Sequence, residues 1–192
     1  MRITGGSLGG RSLVAPPDAR VRPTSDKVRQ AIFNILAHND FGTGFTLEGA
    51  RVADLFAGTG AMGIEAISHG AAFCLLIDDA PESRALIREN VEALGLTGAT
   101  KIWRRDAANL GDMPAGSGGP FDLVILDPPY RKNLLLPAMT SLRIDHWLAP
   151  NALIVAEMAQ DERFTPPDRF VVLDDRIYGD TRVTSLRAED SA

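Results

Sequence analysis

The segment whose residue types are best suited to catalysis is Asp127-Pro128-Pro129-Tyr130, which directly follows the apolar run "FDLVIL". Such a run is typical of a buried strand, and neither a carboxylate nor two prolines would extend it. A residue before proline is held extended and proline has no N–H, so carbonyls here can face a ligand. Asp127 and the carbonyl of Pro128 could accept both hydrogens of one amino group, and Tyr130 offers a ring for stacking a base.

This arrangement suits methylation of an aromatic amine, a poor nucleophile whose lone pair is delocalised into the ring. Two acceptors would pull its hydrogens toward tetrahedral geometry and direct the lone pair at an electrophilic methyl group. The segment therefore predicts Asp127, Pro128, Pro129 and Tyr130 as catalytic residues. A proline turn with an exposed tyrosine is the alternative interpretation.

A glycine-rich turn in "DLFAGTGAMGIEA" supplies a second candidate site. The spacing Gly58-x-Gly60-x-x-Gly63 is that of a dinucleotide-binding turn between a strand and a helix. Asp54 stands just before it, where a carboxylate would repel a pyrophosphate but attract the amino group and sulfonium of S-adenosylmethionine. The turn therefore favours S-adenosylmethionine as the cofactor, although Asp54 could also be only a helix or turn cap.

Further acids follow later predicted strands. Asp78, or its neighbour Asp79, could hold ribose hydroxyls. Asp106 could accept from the adenine amino group, with the small Ala107 leaving room for the ring, or it could cap a helix. Because the carboxyl ends of parallel strands share one edge of a sheet, these acids are expected along one rim. The predicted cofactor-binding residues are Asp54, Phe56, Ala57, Gly58, Gly60, Asp78, Asp79, Asp106 and Ala107.

Predicted strands and helices alternate from Arg51 onward. The predicted strands are "RVADLF", "AAFCLLID", "TKIWRRD", "FDLVIL", "ALIVAEM" and two around Tyr178-Gly179-Asp180. The predicted helices are "RPTSDKVRQAIFNIL" with Thr24 or Ser25 as its cap, "AMGIEAISHG", "PESRALIRENVEALG" and "LLLPAMTSLRIDHWL". This alternation predicts an α/β fold, with a mainly parallel sheet covered by helices on both faces and an antiparallel pair at its end.

Composition narrows the class of protein. The 192 residues are 45% hydrophobic and 23% charged, which is typical of one soluble globular domain. No apolar run approaches membrane-spanning length, and the N-terminus lacks the apolar core of a signal peptide. The single cysteine, Cys74, fits a reducing cytosol, and the three histidines lack metal-ligand spacing. We therefore expect a cytoplasmic protein without a metal and without a membrane partner.

Positive charge concentrates at the N-terminus. The net charge is −5, yet residues 1–29 hold six Lys or Arg against two acids, so the remainder carries −9. The glycine pairs of "RITGGSLGGRSLVAPP" predict a flexible β-hairpin arm that could lie along phosphates and is not needed to build the cofactor pocket. The expected organisation is a basic arm at 1–23, a catalytic domain at 24–188 and a frayed tail at 189–192. The predicted RNA contacts are Arg2, Arg11, Arg20, Arg22, Arg29, Tyr130 and Arg131.

The "DPPY" segment matches the signature of S-adenosylmethionine-dependent amino methyltransferases that act on bases in nucleic acids. More closely, the chain resembles the bacterial 16S ribosomal RNA guanine-N2 methyltransferase family (RsmD-like) over nearly its whole length. The matching segments are "MRITGGSLGGRSL", "RPTSDKVRQAIFNIL", "VADLFAGTGAMGIEAISHGA", "FDLVILDPPY", "ALIVAE" and "YGDTRVTSL". One departure is "LIDDA", where Asp78 stands in place of the Glu often found in relatives, which leaves Asp79 as the alternative residue for holding the ribose.

The resemblance implies a Rossmann-like methyltransferase fold with a seven-stranded sheet preceded by a small hairpin arm. It also implies transfer of a methyl group to the N2 amine of one guanine, guanine 966, in 16S rRNA, free or within an assembling small ribosomal subunit. Three alternatives stay open: a DNA adenine or cytosine amino methyltransferase, a nicotinamide-dependent dehydrogenase, and a non-catalytic RNA-binding protein on the same fold. The first would need a target-recognition domain, the second leaves "DPPY" unexplained, and intact Asp127 and Tyr130 speak against the third.

Overall fold

The structure, a computed structural model, describes residues 1–16, 25–39, 41–142 and 147–189. Its sheet has seven strands in the order β3-β2-β1-β4-β5-β7-β6. The strands are β1 (Arg51–Leu55), β2 (Phe73–Ile77), β3 (Thr100–Trp103), β4 (Phe121–Leu126), β5 (Leu148–Ala159), β6 (Phe170–Tyr178) and β7 (Thr181–Ala188). The α-helices are α1 (Asp26–His38), α2 (Ala61–Ser68), α3 (Pro81–Ala93) and α4 (Leu135–Leu142).

Strands β1 to β5 are parallel, whereas β7 pairs antiparallel with both β5 and β6. Helices α1, α2 and α3 bury Ile32, Ile64 and Ile87 against one face of the sheet. Met139 of α4 packs with Val124 on the other face. The prediction of a mostly parallel seven-stranded sheet with helices on both faces is confirmed.

The strand ends bring the predicted acids to one edge, with two shifts in position. Asp78 and Asp127 directly follow β2 and β4, as expected. Asp54, however, lies inside β1, and Asp106 lies beyond the last residue of β3 rather than at its end. Helix α1 begins where the sequence predicted, because the Ser25 side chain accepts from the Val28 amide at 3.2 Å.

The predicted N-terminal hairpin is present, but it is shorter than a regular β-hairpin. A single antiparallel bridge joins Arg2 to Ser12, and a short 3₁₀ turn at Gly6–Leu8 reverses the chain between them. For the described residues 1–16 the expectation of a flexible arm is wrong, because Ile3 and Leu13 are buried in the core. The close contact depends on glycine: a Cβ at Gly6 would lie 1.9 Å from the Ser68 carbonyl oxygen. The boundary predicted at residue 23 lies outside the described residues, as do residues 190–192 of the predicted tail.

The fully buried carboxylate of Glu65, on α2, fixes the arm. It accepts hydrogen bonds from the amides of Thr4 and Gly5 and from the Thr4 hydroxyl at 2.7–3.0 Å. The guanidinium of Arg29, on α1, donates to it at 3.0 Å and also bonds Asp26 and the Arg2 carbonyl. The prediction that Arg29 contacts RNA is therefore wrong: its side chain is 0% exposed and is paired with the equally buried Glu65.

No helix among the described residues is long and apolar enough to cross a membrane. Within the same ranges, no group of three or more His, Cys, Asp or Glu side chains is placed to hold a metal ion. Cys74 is buried on β2, where it packs with the core.

Candidate active site at the carboxyl edge of the sheet

The glycine turn between β1 and α2 forms a rigid backbone loop. Phe56, Gly58 and Gly60 all have positive φ, at 65°, 57° and 79°. The Ala57 amide donates to the carbonyl of Ile77 at 2.9 Å, which fastens the loop to the end of β2. A Cβ at Gly58 would meet only the Phe56 carbonyl oxygen, at 3.9 Å, so this part of the backbone is open to a ligand.

The third glycine of the pattern has a different role. A Cβ at Gly63 would lie 2.5 Å from Leu76 and 2.6 Å from the sulfur of Cys74. Gly63 therefore allows α2 to approach the sheet closely, whereas the half-buried Gly58 shapes the loop itself.

Asp54 lies beneath this loop and is only 1% exposed. Its Oδ2 accepts from the Gly63 amide at 2.8 Å, so the cap considered from the sequence is present in the structure. Burial raises the pKa of Asp54 to about 7; the hydrogen bond from Gly63 opposes this rise, and the negative charge of Asp78 adds to it. Asp54 is thus poised between its neutral and charged forms near neutral pH.

Asp78 and Asp79 differ clearly in their surroundings. The half-buried carboxylate of Asp78 accepts from the amides of Gly58 and Ala80, at 2.8 and 2.9 Å. It therefore lies directly against the glycine loop. The side chain of Asp79 is exposed, and its carbonyl accepts from Arg84 at 2.7 Å. The geometry favours Asp78 as the residue that could hold a ribose at the loop.

The Asp106 side chain is exposed and accepts from the amide of Ala108 at 2.8 Å, closing a local turn. The following Ala107 is buried, and its carbonyl accepts from the Ser141 hydroxyl of α4 at 3.2 Å. The helix-cap interpretation of Asp106 is wrong, because no helix lies among the described residues between β3 and β4 and the side chain closes a turn instead, and its role toward adenine stays a prediction.

The Asp-Pro-Pro-Tyr segment leaves the sheet at the end of β4, beside β5. Asp127 is half-buried, Pro128 is buried and Pro129 is exposed. The Tyr130 hydroxyl donates to Oε1 of Glu157 at 2.7 Å and lies 3.0 Å from the Thr181 hydroxyl. Burial holds the pKa of Tyr130 well above its usual value, so its hydroxyl stays protonated and the ring is anchored in place.

A cavity of about 490 Å³ opens beside Tyr130. Its walls come from four parts of the chain: Tyr130 itself, Glu157 near the end of β5, the residues from Ile177 to Thr181 around the β6–β7 turn, and Ser25, Lys27 and Val28 at the start of α1. The volume falls within the range of about 300–1,000 Å³ typical of small-ligand sites. The cavity is large enough for a nucleobase and lies at the edge of the sheet where Asp127 ends β4.

The predicted RNA contacts outside this cavity are dispersed. Arg2 and Arg11 are exposed on the arm. Arg131 is exposed next to Tyr130, where its guanidinium bonds both carboxylate oxygens of Asp161 at 3.0 and 3.1 Å. Arg20 and Arg22 lie outside the described residues.

Sequence reasoning missed Glu157. It lies near the carboxyl end of β5, is 3% exposed and lines the cavity. The signal was available, because "LIVAEM" is an apolar strand interrupted by an acid, the pattern used for the other strands. Thr181 gave no comparable signal, since its place beside Tyr130 depends on the antiparallel return of β7.

Comparisons with known proteins agree with this architecture. The family model described as conserved hypothetical protein 95 matches residues 1–187. The chain is 37% identical to ribosomal RNA small subunit methyltransferase D of Escherichia coli, over 82% of this chain and 74% of that protein. It is 36% identical to a putative rRNA methyltransferase, YlbH, of Bacillus subtilis, over 82% of both chains. A solved structure, the putative methyltransferase yhhF from Escherichia coli, superposes with a TM-score of 0.81 at 28% identity, covering 100% of this chain and 99% of that one.

Proposed function

We propose that this chain methylates the N2 amine of one guanine in 16S rRNA. The proposal starts from its family: the chain belongs to the RsmD-like family described as conserved hypothetical protein 95. Its relatives named rRNA methyltransferases support the rRNA methyltransferase activity and S-adenosylmethionine as the cofactor. The N2 position and the guanine numbered 966 rest on the resemblance of the sequence segments. An rRNA substrate would place the reaction in the cytoplasm, on free rRNA or on an assembling small subunit.

One observation carries the choice of reaction: the Asp127 segment ends β4 beside a nucleobase-sized cavity whose walls include Tyr130 and Glu157. In open α/β sheets, ligands bind beyond the carboxyl ends of the strands. The glycine turn after β1 and the Asp127 segment after β4 share that edge on adjacent strands. A cofactor at the first and an amine at the second would therefore meet.

The residues of the glycine turn fit S-adenosylmethionine. The open backbone at Gly58 admits a close ligand, and the Asp78 carboxylate beside it can accept from ribose hydroxyls. The buried acid Asp54 suits a cationic ligand better than a pyrophosphate, because its charged form would repel phosphate. S-adenosylmethionine supplies the electrophilic methyl group on a sulfonium.

Asp127 and the Pro128 carbonyl would accept the two hydrogens of the guanine amine and turn its lone pair toward that methyl group. The amine nitrogen would accept the methyl group that S-adenosylmethionine supplies, with the thioether as the leaving group, and the methylated amine would then lose one proton. Asp127 would accept that proton and pass it on to solvent. The anchored Tyr130 ring would hold the base by stacking.

Transfer of labelled methyl by the purified protein tests this proposal. The substrates are small-subunit rRNA from a strain that lacks the gene, the small-subunit particle from that strain, and DNA. We expect N2-methylguanosine in rRNA or in the particle and no label in DNA. N6-methyladenine or N4-methylcytosine in DNA would instead identify a DNA methyltransferase, and tighter calorimetric binding of NAD than of S-adenosylmethionine would identify a dehydrogenase.

Cofactor affinity should separate Asp78 from Asp79. We expect Asp78→Ala to weaken S-adenosylmethionine binding about ten- to a hundredfold, because a charge-assisted hydrogen bond is worth about 1.5–3 kcal/mol. Asp79→Ala is the matched control, since its side chain is exposed. Calorimetric affinity that falls for Asp79→Ala and not for Asp78→Ala would reverse the assignment.

The pKa of Asp54, raised to about 7 by burial, predicts a pH-dependent cofactor affinity. Below pH 7 the folded protein holds a proton on Asp54, and a cationic ligand favours its release. Affinity for S-adenosylmethionine should therefore rise with pH up to about 7, by at most about tenfold per unit, and then level off. The Asp54→Asn variant should show a flat profile over the same range. The same slope in that variant would mean that another group titrates.

The exposed arm should contribute salt-dependent binding to RNA. We expect Arg11→Glu to weaken binding to the rRNA substrate and to reduce the salt slope of the binding constant by about one. Cofactor affinity should not change, because Arg11 is exposed on the arm. Arg88→Glu is the control, because it makes the same change of charge at an exposed position on α3. Equal salt slopes for the two variants would show that the arm does not contact the RNA.

A further inference from the structure

Glu157 is the buried carboxylate nearest to the candidate base-binding cavity, and nothing above assigns it a role toward the substrate. It is 3% exposed, lines the cavity and accepts the Tyr130 hydroxyl at 2.7 Å. A buried carboxylate is costly unless hydrogen bonds compensate its charge. An ionised carboxylate has about four acceptor positions and can therefore bond more than one donor at once.

Glu157 also stands next to the catalytic segment. On the neighbouring parallel strands, Leu126 of β4 pairs with Ala156 of β5, and Asp127 and Glu157 are the residues that follow this pair. The charges of both acids act on the Tyr130 hydroxyl. Glu157, which lines the base-sized cavity, therefore has Asp127 beside it on the neighbouring strand.

The hydrogen-bonding edges of the bases determine which base the acids Asp127 and Glu157 could recognise. The Watson–Crick edge of guanine presents two neighbouring donors, N1–H and the N2 amine. Adenine and cytosine each place a ring-nitrogen acceptor beside their amine, and the single N–H of uracil lies between two carbonyl acceptors. A carboxylate beside the amine-binding acid attracts only the guanine pattern and repels a ring-nitrogen acceptor.

We propose that Glu157 reads the N1–H of the flipped guanine and thereby selects guanine for methylation at the neighbouring Asp127. This inference rests on the proposed function and adds a specificity-determining residue to it. Tyr130 then has a second task, because its hydroxyl holds the Glu157 carboxylate in place while its ring faces the base.

The test compares guanine with 2-aminopurine, which keeps the amine but has an acceptor in place of N1–H. Each base is placed at the mapped target position of 16S rRNA by ligation, and the rRNA is assembled into small-subunit particles. Single-turnover methylation rates then give a guanine-to-2-aminopurine ratio for each variant. This ratio does not depend on the folded fraction, so a partly unfolded variant still gives an answer.

We expect the parent protein to favour guanine by at least about a hundredfold and Glu157→Gln to reduce that ratio at least tenfold, since a glutamine amide can donate as well as accept. Tyr130→Phe is the comparison: it removes the hydroxyl that holds Glu157 but keeps the carboxylate, so it should slow methylation and lower the ratio by less than Glu157→Gln does. An unchanged ratio in Glu157→Gln, or an equal fall in Tyr130→Phe, would overturn the inference. Absence of N2-methylguanosine with the parent protein would instead overturn the proposed function.

Discussion

Asp127→Ala should lower the single-turnover rate of methyl transfer by about a hundred- to a thousandfold, the range seen when one preorganised electrostatic group is removed. Asp127 directly follows β4 and is half-buried at the edge of the sheet. It is an acceptor that could draw a hydrogen of the guanine amine out of the ring plane. Without it, the lone pair stays delocalised and the methyl group has no competent nucleophile.

Asp127→Asn keeps one acceptor oxygen and should fall between the parent protein and the alanine variant. Both variants should bind S-adenosylmethionine with nearly the parent affinity, because the glycine turn and Asp78 are untouched. Asp168→Ala removes an exposed carboxylate in the β5–β6 connection and is the matched control. A parent rate for Asp127→Ala in single-turnover assays would exclude the mechanism.

The second large effect concerns folding. Arg29→Met and Glu65→Gln should each lower the free energy of unfolding by about 3–5 kcal/mol, because each change leaves a buried charge without the opposite charge that it is paired with in the core. The two side chains are 0% exposed and 3.0 Å apart. Glu65 also receives the Thr4 and Gly5 amides, so its loss should release the arm as well.

Urea denaturation of the two single variants and the double variant checks this expectation. The double variant should lose less stability than the sum of the singles, since neither charge is then left alone in the core. Arg131→Ala breaks a pair whose side chains are 66% and 63% exposed and should cost less than about 1 kcal/mol. If Arg29→Met costs no more than Arg131→Ala, the buried network does not stabilise the fold.

Much of the fold follows from local signals in the sequence. The apolar runs predicted strands β1, β2, β4 and β5, because buried parallel strands are largely continuous hydrophobic segments. The positive-φ glycines marked the turn after β1, where other residues would be strained. The helix start at Ser25 followed from its hydroxyl, which caps the first turn.

The errors came from interactions between segments that are distant in the sequence. Arg29 lies in a basic segment and was therefore predicted to be a surface cation. It is a core residue because it pairs with Glu65, which lies 36 positions later in the sequence. The arm was expected to be flexible because its glycines suggest freedom, yet Gly6 is needed for the closest approach to α2. Glu157 was not predicted because it lies inside a strand that continues to Ala159, whereas the other acids were identified by their positions at predicted strand ends.

The most direct test of the account is to map N2-methylguanosine in 16S rRNA from cells that lack the gene. We expect one such nucleotide to disappear, to return when the parent gene is supplied, and to stay absent when Asp127→Ala is supplied at equal protein level. A profile of N2-methylguanosine that is the same with and without the gene would contradict the assignment of this chain as the guanine-N2 methyltransferase.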